Sequence, residues 1–414
     1  MTIEAKRLEE LTARYEEYCA RGLALDMSRG KPGPEQLELT ADMLDCLNSH
    51  ADFKAEDGMD VRNYGGLTGI PEARRMFGDV LGVPAENVIV GGNSSLNLMF
   101  DYIANMYSMG ATGCEPWCKQ ETVKFLCPVP GYDRHFSITE YFGIEMVRVP
   151  MNEDGPDMDV VEQLIRDEAV KGMWCVPMYS NPGGITYADE TVRRLAAMKP
   201  RAKDFRLMWD NAYCVHHLSD THDMLLNIFD EAKKHGNEEH IVAFTSTSKI
   251  SFPGAGVAVM AAMGKTYDDI VRRLSMQTIG YDKMNMMRHV RYFKNAAGIV
   301  SHMKLHAAVL RPKFDVVLNT LEKHLGGKNM AQWHRPTGGY FVSVDVPGCA
   351  TEIIRLLRKA GVKMTEAGAP FPYHHDPEDK TMRIAPTYPS VAELEQAMEL
   401  FCICTEIAVL KKSV

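Results

Sequence analysis

The feature that most restricts the fold of this chain is an alternation of short apolar runs with helical stretches between residues 64 and 263. Each apolar run ends in a polar or glycine-rich turn, and a segment long enough for a helix separates it from the next. The apolar runs are Val88–Val90, Lys124–Cys127, Glu145–Val149, Met173–Val176, Arg206–Trp209, Ile241–Phe244 and Val257–Ala261. Strands that alternate with helices are typical of α/β proteins, so we expect a mostly parallel central sheet.

The two ends of the chain predict a second, smaller unit. Residues 1–22 carry apolar side chains at three- and four-residue steps, which indicates an amphipathic helix, and residues 283–325 are strongly helical. The later predicted elements are strands at Tyr340–Val346 and Met382–Ala385 and helices at Thr351–Ala360 and from about Val391. We therefore expect a large α/β domain over residues 47–310 and a small α+β domain formed by residues 1–46 and 311–414.

Composition excludes several classes of protein. The 414 residues are 45% hydrophobic and 24% charged, which is the ordinary globular mixture. The net charge of −9 comes without a basic stripe, so we expect no nucleic-acid partner. No apolar run approaches the roughly 20 residues that span a bilayer, and the charged N-terminal sequence lacks the apolar core of a signal peptide. The 10 cysteines are scattered singly, which indicates free thiols, no metal site and a cytoplasmic protein.

Three chemically distinctive residues follow successive apolar runs: Asn181, Asp210 and Lys249. In an open α/β sheet, ligands bind beyond the carboxyl ends of the strands, so these side chains are expected near one another. Each has an ordinary explanation when taken alone, as a turn residue, a helix cap or a surface lysine. A buried lysine, however, loses its proton more easily and then forms Schiff bases. A buried carboxylate needs a positive partner, and a protonated heterocycle nitrogen is one candidate.

A fourth feature is the segment Gly91-Gly92-Asn93-Ser94-Ser95, which follows the first apolar run and opens a helical stretch. Backbone N–H groups at a helix N-terminus favour phosphate, although an ordinary N-cap would need only one serine. The segment lacks the Gly-Lys-Ser/Thr end of a P-loop, and it is not a Gly-x-Ser-x-Gly nucleophile elbow. A phosphate site, a lysine, a carboxylate and an amide at neighbouring strand ends are together what pyridoxal phosphate requires.

An ordered set of segments resembles the class I/II aminotransferase family of fold-type I pyridoxal-phosphate enzymes, from about Ser28 to Arg383. These segments are Tyr64-Gly65-Gly66-Leu67-Thr68-Gly69, Gly91-Gly92-Asn93-Ser94-Ser95, Pro130-Gly131-Tyr132-Asp133-Arg134, Asn181-Pro182-Gly183-Gly184, Asp210-Asn211-Ala212-Tyr213, Ser246-Thr247-Ser248-Lys249 and Arg383-Ile384-Ala385-Pro386. Within the family, the chain is most similar to a divergent bacterial subgroup of aspartate aminotransferases. The resemblance implies the PLP-dependent transferase fold of type I.

The resemblance also implies roles around the cofactor ring. Lys249 resembles the lysine that holds pyridoxal 5'-phosphate covalently, and Asp210 resembles the carboxylate that keeps the pyridine nitrogen protonated. Tyr213 and Asn181 resemble the pair that hydrogen-bonds the phenolic oxygen of the ring. Family members commonly place the ring-stacking aromatic where this chain has Val129, so Tyr132 is the candidate for that role here.

A second set of roles concerns the cofactor phosphate. Ser94, Ser95 and Ser246 resemble phosphate ligands, and Tyr64 resembles a phosphate ligand contributed by the partner subunit. A homodimer with shared active sites is therefore implied. The family usually has a phosphate-binding arginine shortly after the Pro-Gly that follows the lysine, and this chain has none there. Either another cation replaces it, or hydroxyl groups and backbone donors suffice.

Substrate binding is assigned mainly to Arg383, which resembles the arginine that binds the α-carboxylate through two parallel hydrogen bonds. Asn181 and Gly30 complete the predicted site for that end of the substrate. A dicarboxylic substrate needs a second cation, and the candidates are Lys283, from the region that partners often contribute, and Arg29, with Lys31 as a further rival beside it. A solvated charge without a ligand is an equally good reading for each of these three.

The predicted activity is transfer of the amino group of an L-amino acid, with aspartate favoured, to 2-oxoglutarate by a ping-pong mechanism. An aminotransferase for aromatic or neutral amino acids and a pyridoxal-phosphate β-lyase would use the same residues. A transcription regulator built on this fold is disfavoured, because the segment before Tyr64 is short and not basic. The adjacent histidine pairs, His216-His217 and His374-His375, are interpreted as ordinary residues and not as metal ligands.

Overall fold

The structure is a computed structural model that describes residues 3–413, with the side chains of residues 3–412. Its α-helices are α1 (Ile3–Ala20), α2 (Pro34–Glu38), α3 (Pro71–Leu81), α4 (Ser95–Met109), α5 (Asp133–Tyr141), α6 (Met158–Leu164), α7 (Asp189–Ala197), α8 (Ile228–Lys233), α9 (Gly264–Gln277), α10 (Lys283–Phe293), α11 (Ala296–Leu325), α12 (Ala350–Lys359) and α13 (Val391–Ser413). Its strands are β1 (Leu25–Asp26), β2 (Val88–Gly91), β3 (Lys124–Val129), β4 (Glu145–Asn152), β5 (Gly155–Pro156), β6 (Val170–Cys175), β7 (Arg206–Asp210), β8 (Ile241–Ser246), β9 (Ala258–Ala262), β10 (Gln332–Trp333), β11 (Val342–Asp345), β12 (Val362–Lys363) and β13 (Thr381–Ile384).

The predicted central sheet is present, and all seven apolar runs form strands in it. The strand order is β2-β9-β8-β7-β6-β3-β4-β5. Strands β8, β7, β6, β3 and β4 are parallel to their neighbours in this series, whereas β9 is antiparallel to both β8 and β2. Every residue of β6, β7 and β8 is buried, which explains why these strands are continuous apolar runs without alternation.

The parallel order brings three loops to one edge of the sheet. Strands β8, β7 and β6 are adjacent, and their carboxyl ends lead into Lys249, Asp210 and Asn181. The amino terminus of α4, which begins at Ser95, follows β2 at the same edge. The mostly parallel α/β architecture predicted from the sequence is therefore confirmed.

The ends of the chain form two small sheets, β1-β12 and β10-β11-β13, with α1, α12 and α13 packed beside them. The predicted strands and helices after residue 325 are confirmed, and α1 confirms the N-terminal helix within the described residues. The boundary predicted between residues 310 and 311 lies inside α11, and the two-domain division stays a prediction. Residues 1, 2 and 414 of the predicted small domain lie outside the described part of the chain.

One predicted helical region contains a break. Residues 283–325 form two helices, because Lys294 has a positive φ of 67° and ends α10. Asn295 then caps α11 by accepting a hydrogen bond from the backbone N–H of Gly298. Within residues 3–413, no helix has the length and apolar character needed to cross a membrane. The same residues contain no group of three or more His, Cys, Asp or Glu side chains arranged to hold a metal ion.

Candidate active site

A cavity of about 140 Å³ lies at the carboxyl edge of the central sheet. Eight of the nine residues that the sequence assigned to the cofactor line it: Ser94, Ser95, Tyr132, Asn181, Asp210, Tyr213, Ser246 and Lys249. The ninth, Tyr64, is 80% exposed and does not line the cavity. The geometry therefore brings together residues that are up to 155 positions apart in the chain, from Ser94 to Lys249.

Lys249 lies in the turn after β8, with its side chain directed into the cavity. Its Nζ atom is 5.3 Å from the centre of the Tyr213 ring and 5.8 Å from that of Tyr340. Burial lowers the pKa of the amine, Asp210 opposes this shift, and Arg383 adds to it. The surroundings therefore favour a neutral amine, which is the nucleophilic form.

Asp210 ends β7 and is 4% exposed. Its Oδ2 atom lies 3.0 Å from Nε2 of His135, while its Oδ1 atom is buried and has no hydrogen-bond partner. A buried carboxylate oxygen without a partner is costly, so this atom is placed to accept a hydrogen bond from a group bound in the cavity. A protonated ring nitrogen in the cavity would supply that donor.

His135 is a site residue that the sequence analysis missed. It lies in the first turn of α5, is 1% exposed and stacks on Trp174 with ring centres 4.3 Å apart and planes 9° from parallel. The stacking and the contact with Asp210 together fix the orientation of the carboxylate. The sequence carries no signal for this contact, because Tyr132 lies before the first helical residue of α5 and Asp210 is 75 positions away.

Serine hydroxyl groups cluster where the phosphate is predicted. Ser94 and Ser95 lie at the amino terminus of α4, whose free N–H groups favour an anion. Ser246 donates a hydrogen bond to the hydroxyl of Ser248 at 3.0 Å, and Ser248 also lines the cavity although the sequence analysis did not assign it. No arginine is among the described residues that line this cavity, and Lys249 is the one cation among them.

Tyr132 occupies the N-cap position of α5 and lines the cavity, whereas Val129 does not. Its ring lies edge-on to His135, with centres 4.9 Å apart. Burial raises the pKa of both Tyr132 and Tyr213, which keeps their hydroxyl groups protonated and able to donate hydrogen bonds. The position of Tyr132 is compatible with the predicted contact with the cofactor ring, and that role stays a prediction.

Arg383 lies on β13 and reaches the edge of this site from the small sheet. Its Nη1 group donates to Oδ1 of Asn181 at 3.0 Å and to Oδ1 of Asp133 at 3.3 Å. Its Nη2 group donates to the hydroxyl of Thr365 at 3.1 Å and to the carbonyl of Ser28 at 3.3 Å, and its Nε atom is buried without a partner. These tethers hold the plane of the guanidinium group at one orientation.

Gly30 lies close to Arg383 because both pack against Phe341. The Arg383 guanidinium carbon is 4.8 Å from the centre of the Phe341 ring, and a Cβ atom at Gly30 would collide with that ring. A glycine is therefore required at this position for steric reasons. Whether its backbone also contacts a substrate stays a prediction.

The candidates for a second substrate cation differ in their surroundings. Lys283 is 4% exposed, and its side chain packs against Gly66 and Gly280. Arg29 is exposed, and the ammonium group of Lys31 lies 3.7 Å from the centre of the Tyr388 ring. None of these three residues lines the cavity of its own chain.

A second cavity, of about 290 Å³, lies beside α8 and is lined by residues that include Asp79, His217, His222 and Asp223. It is larger than the cavity around Lys249, but its described lining contains neither lysine nor arginine. It offers no amine for a covalent carbonyl adduct and no cation for a carboxylate or phosphate. The smaller cavity is therefore the candidate active site.

Comparison with known proteins identifies the family of this chain. A family model described as aspartate amino-transferase matches residues 2–414. An aspartate aminotransferase of Corynebacterium glutamicum is 48% identical over 402 residues, which cover 97% of this chain and 93% of the relative. A putative aminotransferase of Mycolicibacterium smegmatis is 47% identical over 95% of this chain and 93% of the relative.

Solved structures show the same relationship. The crystal structure of an aspartate transaminase from Corynebacterium glutamicum superposes with a TM-score of 0.97 at 46% identity, covering 99% of this chain and 97% of the other. An α-aminoadipate aminotransferase from Thermus thermophilus, crystallised with N-(5'-phosphopyridoxyl)-L-leucine, has a TM-score of 0.74 at 20% identity over 100% of this chain and 98% of the other, which shows the shared fold. This chain is therefore a transaminase that belongs to the aspartate aminotransferase family.

Proposed function

We propose that this protein uses pyridoxal 5'-phosphate to transfer the amino group of L-aspartate to 2-oxoglutarate in two half-reactions. The observation that carries the proposal is the pairing, across one cavity, of the half-buried Lys249 side chain, whose pKa is lowered, with the unpartnered Oδ1 of Asp210. The aspartate aminotransferase of Corynebacterium glutamicum, at 48% identity, supports the choice of substrate.

The residues present fit this cofactor. Asp210 would hold the protonated pyridine nitrogen, because Oδ1 is the buried acceptor that lacks a donor. Tyr213 and Asn181 would donate to the phenolic oxygen, and the serine hydroxyl groups with the N–H groups of α4 would hold the phosphate. When bound, pyridoxal phosphate supplies an aldehyde that takes up the amino group and a ring that accepts the electron pair of the Cα–H bond.

Lys249 performs the proton transfer in this mechanism. Its amine would remove the proton from Cα of the bound amino acid and hold it on Nζ until it is returned within the same half-reaction. A base must be neutral to do this, and burial favours that form by lowering the pKa of Lys249. The flanking rings of Tyr213 and Tyr340 restrict the amine to one side of the cavity.

Arg383 orients the substrate. Its planar fork binds the α-carboxylate by two parallel charge-assisted hydrogen bonds. Asn181 and Thr365 hold the fork in place, so the bound carboxylate has a defined direction. That direction sets the angle of the Cα–H bond to the ring plane and so the alignment needed for proton removal.

The proposal includes a homodimer with shared active sites. Tyr64 is 80% exposed, as a residue that serves a neighbouring subunit would be in a single chain. The side chain of Lys283 contacts Gly66, two residues beyond Tyr64, but it is 4% exposed, so it would have to change its rotamer to bind the distal carboxylate of a dicarboxylic substrate in the partner's cavity. The 10 cysteines are free, which supports a reducing compartment such as the cytoplasm.

An absorption spectrum of the purified protein tests the proposal. We expect a visible band from the lysine-bound cofactor, bleaching on addition of L-aspartate and recovery on addition of 2-oxoglutarate. A protein that shows no such band after reconstitution, or that releases ammonia and pyruvate from amino acids without an oxo-acid acceptor, would contradict it. If phenylalanine or alanine bleached the band faster than aspartate, transamination would remain supported, but the assignment of aspartate as the substrate would be rejected.

A further inference from the structure

A buried hydrogen-bond network contacts the main chain of the turn that carries Lys249 and includes residues of the N-terminal segment. The mechanism above does not use it. We call it the histidine chain, and its members are Gln36, Thr40, His302, His306 and Tyr340. Their exposed fractions are 0%, 0%, 6%, 1% and 0%, respectively. They come from α2 and the turn after it, from α11, and from the segment before β11, so three separate parts of the chain meet here.

The proton positions in the histidine chain follow from one backbone group. The N–H of Gly33 donates to Oε1 of Gln36 at 3.1 Å, which fixes the orientation of that amide. The Nε2 group of Gln36 must then donate, and it lies 3.0 Å from Nδ1 of His306 and 2.9 Å from the Tyr340 hydroxyl. His306 therefore accepts at Nδ1 and carries its proton on Nε2.

The same assignment requires both histidines to be neutral. The Nε2–H of His306 points at Nε2 of His302, 3.1 Å away, which must accept it. A second proton on His306 would face the N–H donors of Gln36 and would be repelled. Burial together with the neighbouring His302 lowers the pKa of His306 to about 4, and burial also lowers the pKa of His302.

The histidine chain ends on the main chain of the turn that carries the reactive amine. The hydroxyl of Thr40 donates to the carbonyl of Ile250 at 3.5 Å. Nε2 of His302 lies 3.2 Å from the same oxygen but forms no hydrogen bond to it, because it accepts from His306 and carries no proton. The hydroxyl of Tyr340 donates to the carbonyl of Lys249 at 3.5 Å. Two consecutive carbonyl groups beside the amine are thus held by side chains from distant segments.

The N-terminal segment also holds the predicted carboxylate-binding residue. The carbonyl of Ser28 accepts from Nη2 of Arg383 at 3.3 Å, eight residues before Gln36. Residues 28–40 therefore contact both ends of the site, with Arg383 at one end and the Lys249 turn at the other. An apolar filling of the same space would pack equally well, but it would not specify the orientation of the turn.

We propose that Gln36, His306 and Tyr340 are positioning residues that hold the Lys249 turn and thereby keep its amine desolvated and aimed at the substrate. The histidine chain thereby links the packing of residues 28–40 against the rest of the protein to the position of the Lys249 amine. The proposal rests on the proposed function only where it takes Lys249 as the carrier of the Cα proton. The geometric part concerns the cofactor-free protein and is testable without catalysis.

Two variants break the histidine chain without a large change of volume: Gln36→Met and Tyr340→Phe. Tyr15→Phe is the matched control, because it also removes a buried tyrosine hydroxyl, which donates to the carbonyl of Leu356 at 2.9 Å in the small unit. The primary readout is the pH midpoint for acetylation of Lys249 by acetic anhydride in the cofactor-free protein, followed by peptide mass mapping. Melting temperature, kcat and the KM for aspartate are measured on the same proteins.

We expect both variants to raise the pH midpoint for labelling of Lys249 by roughly half a pH unit or more. A loosened turn lets water reach the amine, and hydration favours its protonated, unreactive form. In the loaded enzyme, kcat should fall by about fivefold with KM within about twofold, since the proton carrier is affected and the carboxylate site is not. Tyr15→Phe should lower only the melting temperature.

The proposal is overturned if Gln36→Met and Tyr340→Phe lower the melting temperature as Tyr15→Phe does but leave the midpoint and kcat unchanged. A failure of the proposed function is a separate result, because it would appear as absent transamination by the unaltered chain. The labelling midpoint would still report on the histidine chain in that case.

Discussion

Replacement of Arg383 by lysine measures how much the planar geometry of the guanidinium group contributes to kcat/KM, because Arg383→Lys keeps the positive charge. The guanidinium group is held by Asn181, Thr365 and the carbonyl of Ser28, and it stacks beside Phe341. A lysine ammonium group is a single point with no fixed plane, so it cannot form the two parallel bonds or keep all three tethers. We therefore expect kcat/KM for aspartate to fall, while folding is retained.

The size of the loss follows from the bonds that disappear. A hydrogen bond involving a charged group contributes about 1.5–3 kcal/mol. If the variant loses the equivalent of two such bonds at the lower value, the loss is about 3 kcal/mol, which corresponds to a roughly 150-fold lower kcat/KM. The fall should appear largely in the first half-reaction, where orientation of the Cα–H bond limits proton removal.

The assay is stopped-flow absorbance of the half-reaction with aspartate, repeated with an alkyl amine that lacks a carboxylate. The variant should match the unaltered enzyme with the alkyl amine, because Arg383 has nothing to bind there. Arg358→Lys is the control, since Arg358 is an exposed arginine paired with Glu366 on the surface. A loss below about fivefold with aspartate, or an equal loss with both substrates, would refute the reasoning.

Three further outcomes follow from the structure. Folding lowers the pKa of Lys249 below its ordinary value of 10.5, so the unfolded chain binds more protons and the cofactor-free protein gains stability as pH rises toward that value. Lys249→Met should therefore have a higher melting temperature than the unaltered chain at pH 7, and this difference should disappear near pH 10. A difference in melting temperature that does not change with pH would contradict this. Lys283→Ala should lower kcat/KM for aspartate by roughly tenfold and leave kcat/KM for alanine unchanged, whereas Arg29→Ala should change neither value. If Arg29→Ala instead lowered kcat/KM for aspartate alone, Arg29 would be the cation that binds the distal carboxylate. Asp133 contacts Arg383 at 3.3 Å and would compete with a substrate carboxylate bound there, so Asp133→Asn should lower the KM for aspartate by up to about fivefold, and a raised KM would exclude that competition.

Much of the candidate site could be predicted from the sequence because its parts follow local rules. A strand buried on both faces is a continuous apolar run, and the residue that follows it lies at the edge of the sheet. Lys249, Asp210 and Asn181 were identified in this way, and the structure places all three on one cavity. The break at Lys294 was missed because a single residue with positive φ leaves the periodicity of the flanking helices unchanged.

The residues that the sequence analysis missed act through contacts between distant positions. His135 meets Asp210 across 75 positions, and Gln36 meets His306 across 270. Neither contact has a spacing that could be read from the sequence, because it depends on how α5, α2 and α11 pack. The buried Lys283 is a similar case, since its charge predicted an exposed side chain.

The amino-acid sequence by itself determined the main strands and helices, the order of the strand-end residues and the family resemblance, because hydrophobic periodicity and short motifs are properties of neighbouring positions. The tertiary structure decided the reversed direction of β9, the burial of each charge, the proton positions in the histidine chain and the partner of Asp210. Burial and pairing set the protonation state of a side chain, and both depend on segments that meet only when the chain has folded.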